Sequence, residues 1–171
     1  MFKDKELREA SRNEEKYIET VIGQHYEEIY KYCCRHLSQK EYAEDITQEV
    51  FLNFISHIEQ YREFGKIRNY LYVIARNMII NFGKRKATMP DYDGKNYTEP
   101  KETEKIVERL YIADKLTSMD ELDRELLILR YYQELRIKDI SIILDMPAST
   151  VRYKMKSAEK KLKLILEEDD V

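Results

Sequence analysis

A chain of 171 residues with only 4 Gly and 3 Pro has room for one ordinary domain or two small ones, and it argues against a turn-rich fold and for helix. No apolar run is long enough to cross a bilayer, and the charged stretch from Met1 to Lys16 lacks the apolar core of a signal peptide, so a cytoplasmic protein is expected. The net charge of −3 speaks against a generic nucleic-acid binder, but its distribution says more than its sum. From Phe64 to Pro90 there is no acidic residue, while Lys66, Arg68, Arg76, Lys84, Arg85 and Lys86 are basic. A second basic run holds Arg152, Lys154, Lys156, Lys160, Lys161 and Lys163 against Glu159 alone. Acidic residues gather in Asp91 to Glu108 and at the C-terminus. Two basic patches on an acidic chain imply two separate contacts with phosphate.

Tyr17 to Leu37 reads as the first helix, with Ile18, Val21, Ile22, Ile29 and Leu37 as its apolar positions. Cys33 and Cys34 are adjacent and have no second pair to complete a zinc site, so they read as ordinary thiols. Ser38-Gln-Lys-Glu41 has the pattern of a capping box, opening a helix to about Tyr61. On that helix Ile46, Val50 and Phe54 form one stripe, and Phe51, Ile55 and Ile58 a second. Asp45, Gln48, Glu49, Leu52 and Ser56 fill the surface left over. Apolar residues spread this far round suit a helix that is enclosed or bound by a partner. The plainer reading is a three-helix core with a solvated acidic face.

Phe64-Gly65 marks a break, and Ile67 to Phe82 reads as a third long helix packed through Leu71, Ala75, Met78 and Phe82. Tyr70, Val73 and Asn77 share another face, with Arg76 nearby and basic residues, among them Lys66, Arg68, Lys84 and Arg85, at both ends. Ring, amide and cation together suit single-stranded DNA, because bases stack on rings, amides read base edges and cations hold phosphate. A core aromatic beside a neutral surface amide is the alternative. The stretch from Ala87 to Lys101 has no apolar period and holds Pro90, Gly94 and Pro100, so it reads as a linker. Asp91, Asp93 and Glu102 do not make a calcium loop, since Gly94 falls two positions early.

Glu104 to Leu116 is expected to be helical, and Ser118-Met-Asp-Glu121 is a second capping-box pattern, opening Leu122 to Gln133. Two helices finish the chain, Ile137 to Leu144 and Pro147 to about Leu166, joined by the short turn Asp145-Met-Pro147. This spacing fits a helix-turn-helix, with Pro147 in the first turn, where a missing N–H costs nothing. Val151, Met155, Ala158 and Leu162 form the packing stripe of the last helix. Arg152, Tyr153, Lys156 and Ser157 lie away from it, where side chains reach base edges, with Ser149 and Thr150 at the helix start. Lys154 and Lys160 suit phosphate. A solvated basic face is the competing reading. His25, His36 and His57 have no Asp, Cys or Ser constellation at nucleophile or metal spacing, and no Gly-rich phosphate loop exists. No catalytic residue, metal site or cofactor is expected.

Leu122-Asp-Arg-Glu-Leu-Leu-Ile-Leu-Arg-Tyr-Tyr132, Ile137-Lys-Asp-Ile-Ser-Ile-Ile-Leu144 and Met146-Pro-Ala-Ser-Thr-Val-Arg152 resemble the C-terminal DNA-binding domain of the sigma-70 family, which binds the −35 promoter element. Asp145 and Ser149 stand where Gly is common in that family, and Asp tolerates left-handed backbone better than most residues. LuxR-type regulators are similar in this half only. Ala43-Glu-Asp-Ile-Thr-Gln-Glu-Val-Phe resembles the helix that binds the clamp helices of RNA polymerase, and Tyr70-Leu-Tyr-Val-Ile-Ala-Arg-Asn77 the element that melts and reads the −10 strand. The family often has Trp at the position of Tyr70 and Asp at that of Asn81.

Together these segments are similar to extracytoplasmic function (ECF) sigma factors. The resemblance implies an all-α protein with a region 2-like domain at 17–86, a flexible linker at 87–102 and a region 4-like helix-turn-helix domain at 103–166. It implies a promoter-recognition subunit and not an enzyme, with core RNA polymerase (clamp helices and flap region), promoter DNA and an anti-sigma factor as partners. Asp45, Gln48, Glu49 and Leu52 would bind polymerase. Lys66, Arg68, Tyr70, Arg76, Asn77, Lys84 and Arg85 would bind the −10 strand, and Ser149, Thr150, Arg152, Tyr153, Lys154, Lys156, Ser157 and Lys160 the −35 element. The alternative is a helix-turn-helix regulator that acts without polymerase, which would usually dimerise on two half-sites.

Overall fold

A computed structural model describes residues 2–61, 66–86 and 106–169, and every element among them is helical. The expected linker and the Phe64-Gly65 break lie outside the described residues. The chain divides into two compact units, Met1–Thr98 and Glu99–Val171, in agreement with the all-α, two-domain expectation.

The first unit holds α1 (Phe2–His36), α2 (Lys40–Ser56), the single turn α3 (Ile58–Tyr61) and α4 (Ile67–Lys86). α1 starts at Phe2 and not at Tyr17. The added stretch is rich in Glu, Lys and Arg, good helix formers, and extending a helix that already exists costs little. Burial begins at Val21 and recurs at Ile29, Tyr32, Cys33 and Leu37, one face of a helix. α2 opens one residue later than the capping-box pattern implies: Gln39 is its N-cap, extended at φ −123°, and makes no side-chain cap bond. The helix to Tyr61 is interrupted at His57, whose ring donates from Nδ1 to the Asn53 carbonyl, 2.9 Å away. Such side-chain bonds compete with the backbone ladder.

α1, α2 and α4 close on a core rich in tyrosine and phenylalanine. Tyr32 meets Tyr72 edge-on at 5.1 Å, Tyr26 stacks on Phe51 at 5.6 Å, and Tyr42 lies against Phe82 at 4.9 Å. Cys33 is buried among them, and burial pushes its thiol up to about 12. Both cysteines are free and buried, as ordinary thiols would be. Glu28 of α1 accepts from Arg68 of α4, with Nε and a terminal nitrogen each 2.8 Å away. Burial pushes the Glu28 carboxyl up, but hydrogen bonds from His25 and Arg68 and the charge of Arg68 outweigh it and hold the group below the usual carboxylate range.

The second unit holds α5 (Ile106–Thr117), α6 (Glu121–Leu127), a wider π-helical turn over Ile128–Tyr132, α7 (Ile137–Ile143) and α8 (Ala148–Asp169). Ser118 closes α5, with its hydroxyl donating to the Lys115 carbonyl at 2.8 Å, and Asp120 takes the N-cap position of α6. Leu126, Leu127, Ile128 and Leu129 are all buried, more than one face of an α-helix can hide, so this segment is covered on several sides. The π turn ends with the Gln133 N–H donating to the Ile128 carbonyl at 3.0 Å, after which Glu134 takes φ 53°. Between α7 and α8, Asp145 takes φ 51° and the Met146 N–H donates back to the Ser141 carbonyl at 3.0 Å, a helix-ending turn of the left-handed kind.

Asp145→Gly should therefore stabilise the second unit by about 0.5–1 kcal/mol and Asp145→Val should destabilise it by more, because Gly alone bears positive φ without steric cost. Thermal unfolding of the three proteins checks this. The Glu28 carboxylate also makes a pH-dependent prediction. Because its folded value is depressed, its contribution is present above the ordinary value of 4.5 and is lost as pH falls through the folded value. At pH 7, Glu28→Gln should cost about 1–2 kcal/mol, as for a half-exposed charged hydrogen bond. The gap in unfolding free energy should close in acid.

Candidate nucleic-acid and protein interfaces

α2 separates its two sides cleanly. Ala43, Ile46, Thr47, Val50, Phe51 and Phe54 are buried, so both expected apolar stripes contribute to the core, and Ile55 and Ile58 are half-buried. Asp45, Gln48 and Glu49 are exposed with Leu52, which is 63% exposed. This side of α2 is therefore mixed, one apolar side chain among two carboxylates and an amide.

α4 buries Leu71 and Ala75 as expected, while Met78 and Phe82 are only half-buried. Tyr72 and Ile74 are the core residues that the sequence pattern did not single out, and Asn69 is buried as well. Lys66, Asn77, Lys84 and Arg85 are exposed, and Val73 and Arg76 half-buried. Tyr70 is half-buried: its ring lies 5.9 Å from that of Tyr61 and 6.5 Å from that of Phe54, so part of its surface already serves packing. Arg68 is half-buried, and its guanidinium is engaged by Glu28 of α1. At the far end of α4, Met78, Asn81, Lys84 and Arg85 line an open groove of about 550 Å3 together with Glu49 of α2. Asn81 was not among the expected site residues, although it lies one turn beyond Asn77 on the same face.

α8 buries Val151, Met155 and Ala158, and Leu162 is half-buried. Arg152, Lys156, Lys160 and Ser149 are exposed, Tyr153 is 77% exposed, and Thr150, Lys154 and Ser157 are half-buried. The basic run is narrower than its sequence. Lys161 is tied to Asp123 and Asp120 of α6, and Lys163 lies 3.6 Å from Glu167. Glu159, the acid opposing that run, accepts from the Tyr131 hydroxyl at 2.6 Å. Behind α8, Ile112, Leu116, Leu127, Tyr132, Leu162 and Leu166 line an apolar groove of about 470 Å3, which sequence reasoning did not find. Leu162, the last residue of the packing stripe, and Leu166, one turn beyond it, were its sequence signal.

Among the described residues, no group of three or more His, Cys, Asp or Glu is placed to hold a metal ion, and no helix is long and apolar enough to cross a membrane.

The sigma-70 region 2 family matches residues 21–88 and the sigma-70 region 4 family residues 109–162. The chain is 28% identical over 155 residues to the RNA polymerase sigma factor YlaC of Bacillus subtilis (strain 168), covering 85% of this chain and 90% of that protein. It is 26% identical over 167 residues to the ECF RNA polymerase sigma factor SigL of Mycobacterium tuberculosis, covering 93% and 94%. Two solved structures share the fold. RpoE of Bartonella quintana, in complex with the anti-sigma factor NepR, has a TM-score of 0.76 at 14% identity over 89% of this chain and 98% of that one. CnrH, in complex with the cytosolic domain of CnrY, has a TM-score of 0.71 at 15% identity over 91% and 90%.

Arg152 and Lys160 are both exposed on α8, and the expectation that the first reads a base and the second holds phosphate separates them by experiment. Losing a base-reading Arg at 152 should cost about 1–3 kcal/mol and relax preference at one position. Losing Lys160 should weaken all sequences alike and shallow the salt dependence by about one unit. Selection from a duplex library with Arg152→Ala and Lys160→Ala at two salt concentrations checks this. A preference that changes with Lys160 and not with Arg152 would invert the assignment.

Proposed function

The chain belongs to the sigma-70 family of RNA polymerase sigma factors, in its ECF group, and on that premise we propose how its surfaces divide the work of promoter recognition. It is a promoter-recognition subunit that binds core RNA polymerase and promoter DNA and directs transcription initiation. The chemistry of RNA synthesis belongs to the polymerase, so the chain itself is not an enzyme, and it works in the cytoplasm, where its template lies.

The observation that carries the assignment is Leu52, exposed among Asp45, Gln48 and Glu49 on a helix whose other sides are buried. This face takes the polymerase clamp helices: the leucine supplies apolar area, and the acids and amide set orientation. A regulator acting without polymerase would have no use for it. α8 enters the −35 major groove with Arg152, Tyr153, Lys156 and Ser157 toward base edges, and with Ser149, Thr150, Lys154 and Lys160 toward the backbone. On α4, Asn77 reads an unpaired −10 base, Tyr70 offers the exposed part of its ring, and Lys66, Arg76, Lys84 and Arg85 hold the strand. The apolar groove behind α8 fits the helical tip of the polymerase flap. Residues 17–86, 87–102 and 103–166 then act as region 2, tether and region 4. The complexes of RpoE with NepR and of CnrH with CnrY support an anti-sigma factor as a further partner.

Replacing Asp45 and Gln48 together by Arg should weaken association with core polymerase at least tenfold, the loss of about 1.4 kcal/mol, and leave helicity unchanged. Titration of labelled protein with core polymerase measures it. Normal assembly by the double variant would place the interface elsewhere.

A further inference from the structure

The interhelical pair at the start of α4 has a use that bears on strand capture. Both oxygens of the Glu28 carboxylate are engaged. Oε1 lies 2.5 Å from Nδ1 of His25, one turn earlier on α1. Oε2 accepts from Arg68 through two nitrogens at 2.8 Å, and the Tyr72 hydroxyl lies 3.4 Å away. The Arg68 guanidinium also sits 5.9 Å from the centre of the Tyr72 ring, and that ring is buried against Tyr32. The carboxylate is thus fixed by its own helix and grips one face of α4 at two residues, Arg68 and Tyr72. Tyr70, two positions from each, falls on the opposite face, where its ring meets Phe54 and Tyr61.

The first turn of α4 is therefore held from two directions, by Glu28 on one face and through the ring of Tyr70 on the other. An unpaired base is read only if ring and amide already stand where it arrives, because ordering them afterwards costs binding energy. Moving Arg68 to a phosphate would take from a half-buried carboxylate its two-nitrogen partner and leave it His25 and the Tyr72 hydroxyl, which opposes such a contact. We infer that Glu28 is a positioning residue for capture of the unpaired −10 strand, acting from α1 through Arg68 and Tyr72. This rests on the reading of α4 as the strand-reading helix.

The test uses holoenzyme on a duplex promoter selected from a library by the wild-type protein. The rate of opening is followed by permanganate reactivity of thymines, beside core-polymerase affinity and helicity. Glu28→Gln and Arg68→Gln should each slow opening roughly ten- to hundredfold, the scale on which small misplacements of a reacting group act. The double variant should be no slower than the worse single one, since both break the same unit. Arg68→Lys, which keeps the charge but not the forked grip, should also be slow. Core affinity, helicity and the salt dependence of promoter binding should stay at wild-type values.

A phosphate role for Arg68 gives the opposite pattern and overturns the inference: Glu28→Gln opens normally, Arg68→Lys opens normally, and Arg68→Gln shallows the salt dependence by about one unit. Additive defects in the double variant would overturn it too, as would a slow Glu28→Gln that has also lost helicity while Arg68→Lys opens normally. Asn77→Ala, run in parallel, separates two failures. If it is slow while Glu28→Gln is normal, the clamp alone is refuted. If both are normal, the strand-reading role of α4 falls as well.

Discussion

Tyr72 has no exposed surface: the ring of Tyr32 covers one edge, and its hydroxyl points to the Glu28 carboxylate. The first unit is arranged about this contact between α1 and α4. Because a tyrosine at this seam brings its own polar end, the seam needs a buried acceptor, and the acceptor brings Arg68 with it. An apolar ring would have filled the same space without demanding the carboxylate. The consequence is a helix pair held in one rotation about its axes, and that rotation decides which side chains of α4 face outward. Val73, Asn77, Asn81 and Lys84 look out because Leu71, Tyr72 and Ala75 cannot.

The second unit reaches the same end by a different route. α8 is anchored by Val151, Met155 and Ala158, small or flexible residues that let it approach α6 and α7 closely. The turn that precedes it is set by backbone geometry at Asp145 and by the bond from Met146 to Ser141, not by packing. Of the two surfaces, the first is oriented by a polar seam in a core and the second by a tight turn. Substitutions near each act accordingly, through charge in one and through backbone freedom in the other.

Periodicity made most of this legible. The stripes Ile46–Val50–Phe54 and Val151–Met155–Ala158 identify inward faces with no further knowledge, and the outward faces follow by subtraction. Helix ends were less legible. Ser38 and Ser118 both start the pattern of a capping box, yet α2 and α6 begin after Gln39 and Asp120, and Ser118 instead closes the helix before it. A serine between two helices can serve either, and spacing does not say which. The pairing of Arg68 with Glu28 was hidden for a different reason. Glu28 lies 40 positions away, and nothing local marks the two as partners. The aromatic residues divided similarly: Tyr70 and Tyr72 are two apart on one helix, and only the packing of α1 decides that the second is core and the first a partly open platform.

The tie from Lys161 to Asp123 and Asp120 limits what α8 can do when the protein is alone. Each cation already neutralised within the fold is one that releases no counterion from DNA, and counterion release drives most sequence-independent affinity. With Lys161 and Lys163 each beside a carboxylate of its own unit, and a net charge of −3, the basic run has fewer cations to spend on arbitrary duplex than its sequence counts.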